Sequence, residues 1–333
     1  MNRIDNIVTL ESVIGKTPAA VSLKVIDHID ATARRWLAAS PLMFAGLGGS
    51  AGLGVTLAGG DAGFAKADTT ILSIPCAAID DRDLLVPGAA FGSLFLVPGI
   101  GETLRINGTV AEADGAVARI AVSECYVHCA KALIRSDFWQ AVPGAPAHSD
   151  PAGFVADSRF IALATVDGCG AADLSPKGDP AGLMARLEDD RLWFADRPGN
   201  RRADSFCNII VQPRIAAALL VPGSSQVALV RGQARLTTDE TARATFAVRD
   251  KAPLLATCVE DLRIELHPSA ALERARLWPA ATAPADIRPA KMFAEHVKLN
   301  RNKGIGARVA GAIVSVPGMM QKALEKDYKD NLY

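Results

Sequence analysis

Short runs of apolar residues, bounded by Gly, Pro and Asp, recur along most of the chain. In the second half they read RFIALATVDG, RLWFAD, RIAAALLVPG and QVALVRGQARL. Runs of this length and spacing are typical of the strands of a small barrel, whereas a parallel sheet would need a helix between consecutive strands. The pattern predicts a mainly β protein with flanking helices, in the α+β class.

Two stretches instead have apolar residues at helical spacing. One of the two, near Ser315 to Lys329, is expected to form the last helix of the chain. Apolar faces of this kind pack against a core, so we expect both helices to cover the strands. The other stretch runs from Ala20 to Ala39, and its apolar face is formed by Val25, Ile26, Ile29, Ala33, Trp36 and Leu37.

Internal similarity divides the chain into two copies of one unit. SLFLVPGIGETLRINGTV (Ser93 to Val110) matches AALLVPGSSQVALVRGQA (Ala217 to Ala234), and each predicts a β-hairpin around a Val-Pro-Gly turn. Further on, VHCAKALIRSDFW matches LHPSAALERARLW. The matched pairs are His128 with His267, Arg135 with Arg274, and Trp139 with Trp278. Repetition on this scale indicates two related domains.

The repeats set the expected domain boundaries. We expect copy one at residues 1–146, copy two at residues 147–280 and a C-terminal helical extension at residues 281–333. The linker VPGAPAHSDPAG is rich in Pro, Gly and Ala, which suits an exposed connection. Copy two has about fifteen extra residues, and they fall in the polar, helix-like stretch TTDETARATFAVRDKAP.

Composition excludes several classes of protein. The 36 basic side chains are balanced by 36 acidic ones, so no basic excess exists to neutralise a nucleic-acid backbone. No stretch predicts a signal peptide or a membrane span, and the six cysteines have no paired spacing, which indicates reduced thiols in the cytoplasm. Cys125, His128 and Cys129 are too cramped on an alternating strand for a metal site; we expect them in the core and predict no metal.

One loop concentrates positive charge. FADRPGNRRADS (Phe194 to Ser205) places three arginines beside a Pro-Gly turn, and LSPKGDP upstream adds the Ser175 hydroxyl and the Lys177 ammonium. Guanidinium groups match phosphate oxygens, and a glycine turn permits close approach, so these two segments predict a phosphate site. The alternative is a solvated turn whose arginines pair with Asp196 and Asp204.

Together these motifs resemble a known family. LSPKGDP, LWFADRPGNRRADSFCNI, ETLRINGTV and YVHCAKALIRSDFW are similar to segments of the pyridoxamine 5′-phosphate oxidase-like, FMN-binding split-barrel family, over most of residues 20–280. The resemblance implies two split β-barrels, here in tandem, that form an intramolecular pseudo-dimer with FMN in the interface. No convincing second phosphate site is visible in the sequence, which argues against pyridoxamine phosphate as the substrate.

The resemblance also implies the cofactor-binding residues. Copy two would hold the phosphate and the adjoining ribityl chain through Ser175, Lys177, Asp196, Arg197, Asn200, Arg201, Arg202 and Ser205. Copy one would contribute Glu102, Thr103, Arg105, Lys131, Arg135 and Ser136. Among the latter, Arg105, Lys131 and Arg135 would lie near the flavin ring, where cations stabilise its reduced anion. No catalytic residue is identified.

The two copies depart from the family pattern in opposite ways. Copy one has VTLAGGDAGF where copy two has LSPKGDPAGL, which we interpret as Gly59 in place of Lys177, and copy one has no arginine loop. Copy two lacks counterparts of Glu102, Arg105, Lys131 and Ser136. Each copy retains the half that the other has lost, so the chain is expected to hold one composite FMN site.

The functional expectation is an FMN-dependent oxidoreductase. It would act on a small organic substrate, with a reduced nicotinamide or oxygen as redox partner, as a monomeric pseudo-dimer or a homo-oligomer. The alternative is a non-catalytic flavin carrier or a haem- or deazaflavin-binding split barrel, because one fold hosts several functions. The sequence identifies neither the substrate nor the electron acceptor.

Overall fold

The computed structural model describes residues 2–49, 52–300 and 319–333. The first elements are a short strand and three helices: β1 (Arg3–Ile4), α1 (Ile7–Ile14), α2 (Ala19–Leu23) and α3 (Ala31–Ala39). The prediction of one continuous helix from Ala20 to Ala39 is wrong. The chain leaves the helix after α2 because the backbone of Ile26 pairs with that of Cys125, and the Asp30 carboxylate then accepts from the Ala33 N–H to cap a new helix.

The first copy forms an antiparallel sheet of seven strands. Their spatial order is β3-β2-β6-β7-β8-β5-β4. In chain order the strands are β2 (Leu42–Gly49), β3 (Gly52–Gly59), β4 (Lys66–Ala67), β5 (Ile71–Pro75), β6 (Ala90–Leu96), β7 (Thr103–Ala113) and β8 (Val117–His128). The turn between β2 and β3, Ser50 and Ala51, lies outside the described residues.

The second copy repeats this arrangement strand for strand. Its order is β10-β9-β13-β14-β15-β12-β11, the same path shifted by seven strands, and β1 adds an eighth strand beside β14. In chain order the strands are β9 (Phe160–Val166), β10 (Ala172–Gly178), β11 (Arg186–Glu188), β12 (Arg191–Ala195), β13 (Arg214–Leu220), β14 (Gln226–Thr237) and β15 (Ala256–Pro268). The prediction of a mainly β chain with two tandem split barrels is confirmed.

Helices flank the strands. The remaining α-helices are α4 (Lys131–Arg135), α5 (Pro151–Asp157), α6 (Asp204–Val211), α7 (Glu240–Ala244), α8 (Ala270–Ala275), α9 (Pro289–Leu299) and α10 (Met319–Asp330), and two 3-10 helices lie at Cys76–Ala78 and Phe138–Gln140. The helix predicted near Ser315 to Lys329 corresponds to α10, and residues 315–318 lie outside the described part. No helix in the described ranges is long and apolar enough to cross a membrane.

The copies pack directly against each other. Each barrel encloses its own apolar core, and a third cluster joins the two, with Phe44 of copy one packed on Phe160 of copy two at a ring-centroid distance of 5.6 Å. Burial of apolar surface drives this contact. The predicted barrel-on-barrel packing within one chain is therefore present.

The N-terminal segment crosses to the second barrel. Arg3 and Ile4 pair with Thr237 and Leu236 of β14, and Leu10 of α1 is fully buried in the second core. Sequence repeats carry no information about this exchange, because the segment has no counterpart in copy two. The boundaries at residues 146 and 280 stay predictions.

Two glycines allow the closest approach at the interface. A Cβ atom on Gly178 would overlap the carbonyl of Ala132, and one on Gly59 would overlap the carbonyl of Ala271. The two contacts are related by the pseudo-twofold, since each places a glycine of one copy under the helix that follows the last strand of the other copy. Only glycine leaves room there.

We expect Gly178→Ala and Gly59→Ala each to lower the free energy of unfolding by about 1–3 kcal/mol, the usual cost of overpacking a close contact. Denaturant titration measures the change. Gly49→Ala is the matched control, because a Cβ there would meet the nearest atom, Ala89 Cβ, at an ordinary 3.7 Å. Equal effects at all three positions would show that the interface contacts are not the cause.

Candidate active site

A cavity of about 650 Å³ lies where the two copies meet. Its walls come from the end of β8 and α4 in copy one, from β10 and the loop between β12 and α6 in copy two, and from the C-terminal segment. Seven Lys and Arg residues line it, against two Asp residues. Because the whole chain has no net charge, this local excess indicates an anionic ligand.

Nine of the fourteen residues predicted to bind the cofactor line this cavity. They are Lys131 and Arg135 of copy one, with Ser175, Lys177, Asp196, Arg197, Asn200, Arg201 and Arg202 of copy two. Residues of both copies thus line one cavity, and its assignment as a composite FMN site stays a prediction. The other five do not line the cavity: Glu102, Thr103, Arg105, Ser136 and Ser205.

Strand β10 presents the first part of the site. Ser175 and Lys177 point to the same side, because side chains alternate along a strand. The Lys177 ammonium lies 4.2 Å from the centroid of the Phe206 ring and has no ion pair in the described part of the chain. Burial lowers the pKa of Lys177, with Asp196 partly opposing the effect. A half-buried cation without a paired carboxylate is the kind of group that an anionic ligand satisfies.

The arginine loop supplies the second part. Arg201 has a φ of 57°, in the left-handed region, and the Thr17 hydroxyl donates to its carbonyl at 2.8 Å. The Asn200 side-chain oxygen accepts from the Arg202 N–H at 3.0 Å, which fixes the turn. Arg201 makes no ion pair within the described ranges, whereas Arg202 pairs with Asp204. Of the pairings with Asp196 and Asp204 that the solvated-turn alternative requires, the described residues show that of Arg202 with Asp204.

The next two residues of the site lie at the end of β12. Arg197 donates to Asp179 at 2.5 Å, and its guanidinium lies 5.5 Å from the centroid of the Tyr333 ring. Burial raises the pKa of Asp196, and Lys177 partly offsets this rise. The contact of Arg197 with Tyr333 thus brings the C-terminal segment to the cavity.

Helix α4 forms the wall from copy one. Lys131 is 1% exposed, and its ammonium contacts Asp327 of α10 at 2.9 Å. The Arg135 guanidinium donates to three backbone carbonyls, those of Gly178, Pro198 and Leu332. Arg135 therefore ties together copy one, copy two and the C-terminal segment, and it has no carboxylate partner among the described residues.

Arg105 takes a different position from the one that the resemblance implies. It is fully buried between the copies, where it pairs with Asp173 and donates to the Tyr126 hydroxyl at 2.7 Å. Its second terminal nitrogen lies 3.3 Å from the Ser175 hydroxyl. Arg105 therefore reaches the cavity only through Ser175 and acts as a bridge between the barrels.

The remaining predicted residues lie behind the walls. Glu102 accepts from the Tyr328 hydroxyl at 2.9 Å, and the Ser136 hydroxyl donates to the carbonyl of Leu133. Thr103 and Ser205 are 1% and 2% exposed. These four residues lie behind the cavity walls and do not line the cavity.

Two of the cavity residues that the sequence did not identify had been assigned a different place. His128 and Cys129 were expected in the core, but both line the cavity, because β8 ends at His128 and the alternation of the strand ends with it. Burial is the main cause that lowers the pKa of His128 far below its usual value, and Arg105 and Lys24 add to it, so the ring is neutral. Cys125 alone is in the core. The sequence signal that could have found them is their position at the end of a predicted strand, just before the basic residues Lys131 and Arg135.

In the other half of the interface, the region equivalent to this cavity is occupied by hydrogen-bonded side chains. Asp80 accepts from the Ser269 hydroxyl and the Ala271 N–H, and Arg274 donates to the carbonyls of Gly59 and Ala78. The hydrogen bond from Arg274 to the carbonyl of Gly59 is equivalent to the one from Arg135 to the carbonyl of Gly178. Gly59 is therefore equivalent to Gly178, and Ala58 is equivalent to Lys177. The interpretation that Gly59 replaces Lys177 is wrong by one position, and the loss of the ammonium in copy one stands.

Three buried side-chain nitrogens of cavity residues lack partners in the described part of the chain. They are Asn200 Nδ2, Arg197 Nη2 and His128 Nδ1. Buried polar atoms without hydrogen-bond partners are uncommon in folded proteins because each costs free energy. Their presence on one cavity, together with the unpaired cations Lys177 and Arg201, fits an anionic ligand with several acceptor atoms.

Comparison with protein families identifies the second barrel. Residues 152–275 match the family model described as pyridoxamine 5′-phosphate oxidase. The second barrel belongs to this family. The resemblance that the motifs indicated is thus confirmed, and the pyridoxamine 5′-phosphate oxidase domain contains the whole arginine loop and β10. Lys131, Arg135 and His128, which complete the cavity, lie outside the matched range.

Three solved structures share limited similarity with parts of the chain. HupZ of Group A Streptococcus is 20% identical, with 38% of this chain and 98% of that chain covered and a TM-score of 0.31. General Stress Protein 26 of Bacillus anthracis str. Sterne is 17% identical, with coverage of 35% and 95% and a TM-score of 0.26. An F420 Reductase is 15% identical, with coverage of 37% and 100% and a TM-score of 0.27. These values are too low to support an argument, and no curated protein matches the chain.

Proposed function

We propose that the chain is an FMN-binding flavoprotein that acts as an oxidoreductase on a small organic substrate. The phosphate cradle, defined here as Ser175, Lys177, Asn200, Arg201 and Arg202, would hold the FMN phosphate. The observation that carries the proposal is the excess of cations on this cavity, four of which, Arg135, Lys177, Arg201 and Lys251, form no ion pair with a described residue. Charge-assisted hydrogen bonds to phosphate oxygens would satisfy them.

The composite nature of the site supports one flavin per chain. Lys131 and Arg135 reach the cavity from copy one, and the phosphate cradle belongs to copy two. In the other half, Ala58 stands at the position equivalent to Lys177, so the ammonium is missing. Asp80 and Arg274 there interact with each other and with the neighbouring backbone. Among the described residues of that region, Arg274 is held by Asp80 and two backbone carbonyls, so it is not free for a second phosphate.

When bound, FMN would supply hydride or electron transfer, and the chain would supply position and charge. Lys131 and Arg135 place two cations at the copy-one wall, which favours negative charge on a ligand beside them. Tyr333 and Asn331 line the cavity from the C-terminal side. The neutral His128 offers a ring nitrogen for a hydrogen bond without adding charge.

Reconstitution with FMN tests the proposal. We expect a yellow complex with flavin absorbance bands, saturating at one FMN per chain in a titration of known protein concentration. Saturation at two would show that copy one holds a phosphate as well. A Soret band on addition of haem, with no flavin bound, would instead favour a haem-binding protein, and binding of a deazaflavin alone would favour that cofactor.

A further inference from the structure

The ring of Tyr126 contacts the guanidinium of Arg202 across the boundary between the two copies. Tyr126 is on β8 of copy one and is fully buried, and its ring centroid lies 4.4 Å from Cζ of Arg202 in copy two. Cζ of Arg105 and the ammonium of Lys24 lie farther from the same centroid, at 5.4 Å and 5.6 Å. Of these three cations, only Arg202 lines the cavity. The cation nearest to the ring is therefore the one that a ligand can reach.

Strand pairing fixes the position of this ring. Tyr126 and Arg105 are directly opposite each other on β8 and β7, so their side chains leave the sheet on the same face. Arg105 donates to the Tyr126 hydroxyl at 2.7 Å and also pairs with Asp173 of copy two. A fully buried ring whose hydroxyl is bound in this way is held in one orientation. Tyr126 therefore presents a fixed aromatic face to copy two.

The Arg202 guanidinium is held on one edge and on one face. Its Nε donates to the Asp204 carboxylate, and the Tyr126 ring contacts its face. Neither of its terminal nitrogens donates a hydrogen bond to a described residue. A guanidinium binds phosphate best through two parallel N–H groups. Arg202 thus keeps two donors for an anion, while its other contacts set the plane in which they lie.

The equivalent pair in copy two lacks this arrangement. By the alignment of the repeats, Tyr126 corresponds to Glu265 and Arg105 corresponds to Leu229, and these two residues are again opposite each other, on β15 and β14. Neither side chain is aromatic. The tyrosine is thus present in the copy that faces the arginine loop and is replaced in the copy that carries the loop.

We propose that Tyr126 is a positioning residue for the phosphate cradle: its ring fixes the plane of the Arg202 guanidinium, so that both terminal nitrogens can donate to one phosphate group. The inference rests on the proposed function, since the phosphate would be that of FMN. It adds a role for copy one, which would support the phosphate as well as the flavin ring. A contact between a cation and an aromatic ring is strongest where water is excluded, as it is at the buried face of Tyr126.

The preference for FMN over riboflavin tests this role. The phosphate preference is defined here as the Kd of riboflavin divided by the Kd of FMN, both measured by quenching of flavin fluorescence. Tyr126→Leu removes the ring and should lower the preference about tenfold, the scale of a desolvated cation–aromatic contact. Tyr126→Phe keeps the ring without the hydroxyl and should leave the preference within about twofold of wild type. An unchanged preference in Tyr126→Leu, or an equal loss in Tyr126→Phe, would overturn the proposal.

A double-mutant cycle shows whether Tyr126 acts through Arg202. Arg202→Met removes the guanidinium and keeps much of the aliphatic bulk. In that background, Tyr126→Leu should change the phosphate preference by less than about twofold, because the group that the ring positions is already absent. A further loss of about tenfold would show that the ring acts by another route, which contradicts the proposal.

Phe91→Leu is the matched control for lost packing. Phe91 is a fully buried aromatic residue in the core of copy one and does not line the cavity. It should lower the melting temperature and leave the phosphate preference unchanged. A loss of preference equal to that of Tyr126→Leu would mean that any disturbed packing has this effect, and the proposal would fail. Should Tyr126→Leu not fold, Tyr126→Met takes its place with the same expected results.

Inorganic phosphate separates this proposal from the flavin function. A phosphorus NMR titration of the full chain gives its Kd, which should rise about tenfold in Tyr126→Leu and stay within about twofold in Tyr126→Phe. A chain that shows this pattern without binding FMN keeps the positioning role and loses the proposed flavin function. A chain that binds FMN with an unchanged preference in Tyr126→Leu keeps the flavin site and loses the positioning role. A wild-type chain that binds neither FMN nor phosphate overturns both.

Discussion

Lys177→Ala is expected to weaken FMN binding by roughly 1.5–3 kcal/mol, about a 10- to 150-fold rise in Kd. The reason is that Lys177 is half-buried, without an ion pair among the described residues, and beside the arginine loop. Arg201→Ala should have a smaller effect, because Arg201 is exposed and water screens its charge. Quenching of flavin fluorescence measures the Kd of each variant.

Riboflavin supplies the comparison that isolates the phosphate. It carries the same ring as FMN without the phosphate, so its affinity should be unchanged in the double variant Lys177→Ala/Arg201→Ala, and the preference for FMN over riboflavin should disappear. Arg263→Ala is the matched control, since Arg263 is exposed on β15 and does not line the cavity. An unchanged preference for FMN in the double variant would show that the phosphate lies elsewhere.

The sequence predicted the parts of the fold that repeat. Short apolar runs and two Val-Pro-Gly hairpins predicted two related, barrel-like domains, because each copy carries its own strand pattern, and the family resemblance implied that the two barrels pair. The arginine loop and LSPKGDP could be joined into one site because both flank strands of the same sheet, β10 and β12. Local chemistry and short spacing made these predictions possible.

Contacts that depend on the rest of the chain could not be predicted in this way. Lys131 pairs with Asp327, and Arg135 with the carbonyl of Leu332, across nearly 200 residues that include part of the chain without a repeat. Nothing in the spacing indicates that Arg105 faces Asp173, since the pair forms only when the two barrels pack. The helix from Ala20 to Ala39 was wrong for a related reason: the pairing of Ile26 with Cys125 overrides a good helical pattern.

Arg105→Leu is expected to lower the free energy of unfolding by about 3–5 kcal/mol. Arg105 is fully buried at the interface between the copies, where it neutralises Asp173 and donates to the Tyr126 hydroxyl. Its carboxylate partner and the surrounding Tyr126 raise the pKa of Arg105 against the opposing effect of burial, which is the largest single influence. Removal of the guanidinium would leave the Asp173 carboxylate buried without its counterion, and denaturant titration measures the loss.

The double variant Arg105→Leu/Asp173→Leu distinguishes this cause from lost packing. Because the cost arises from an uncompensated charge, removal of both charges should restore most of the stability lost in Arg105→Leu. Arg119→Leu is the matched surface control: Arg119 bridges the same two strands, β7 and β8, in an exposed pair with Glu112 at 2.9 Å, and solvent screening should leave its effect small. A double variant no more stable than Arg105→Leu would contradict the buried-charge account. FMN titration of the double variant then separates the two roles of this region, since a chain that folds but no longer binds FMN would show that Arg105 and Asp173, which both hydrogen-bond to the Ser175 hydroxyl, also position Ser175 in the phosphate cradle.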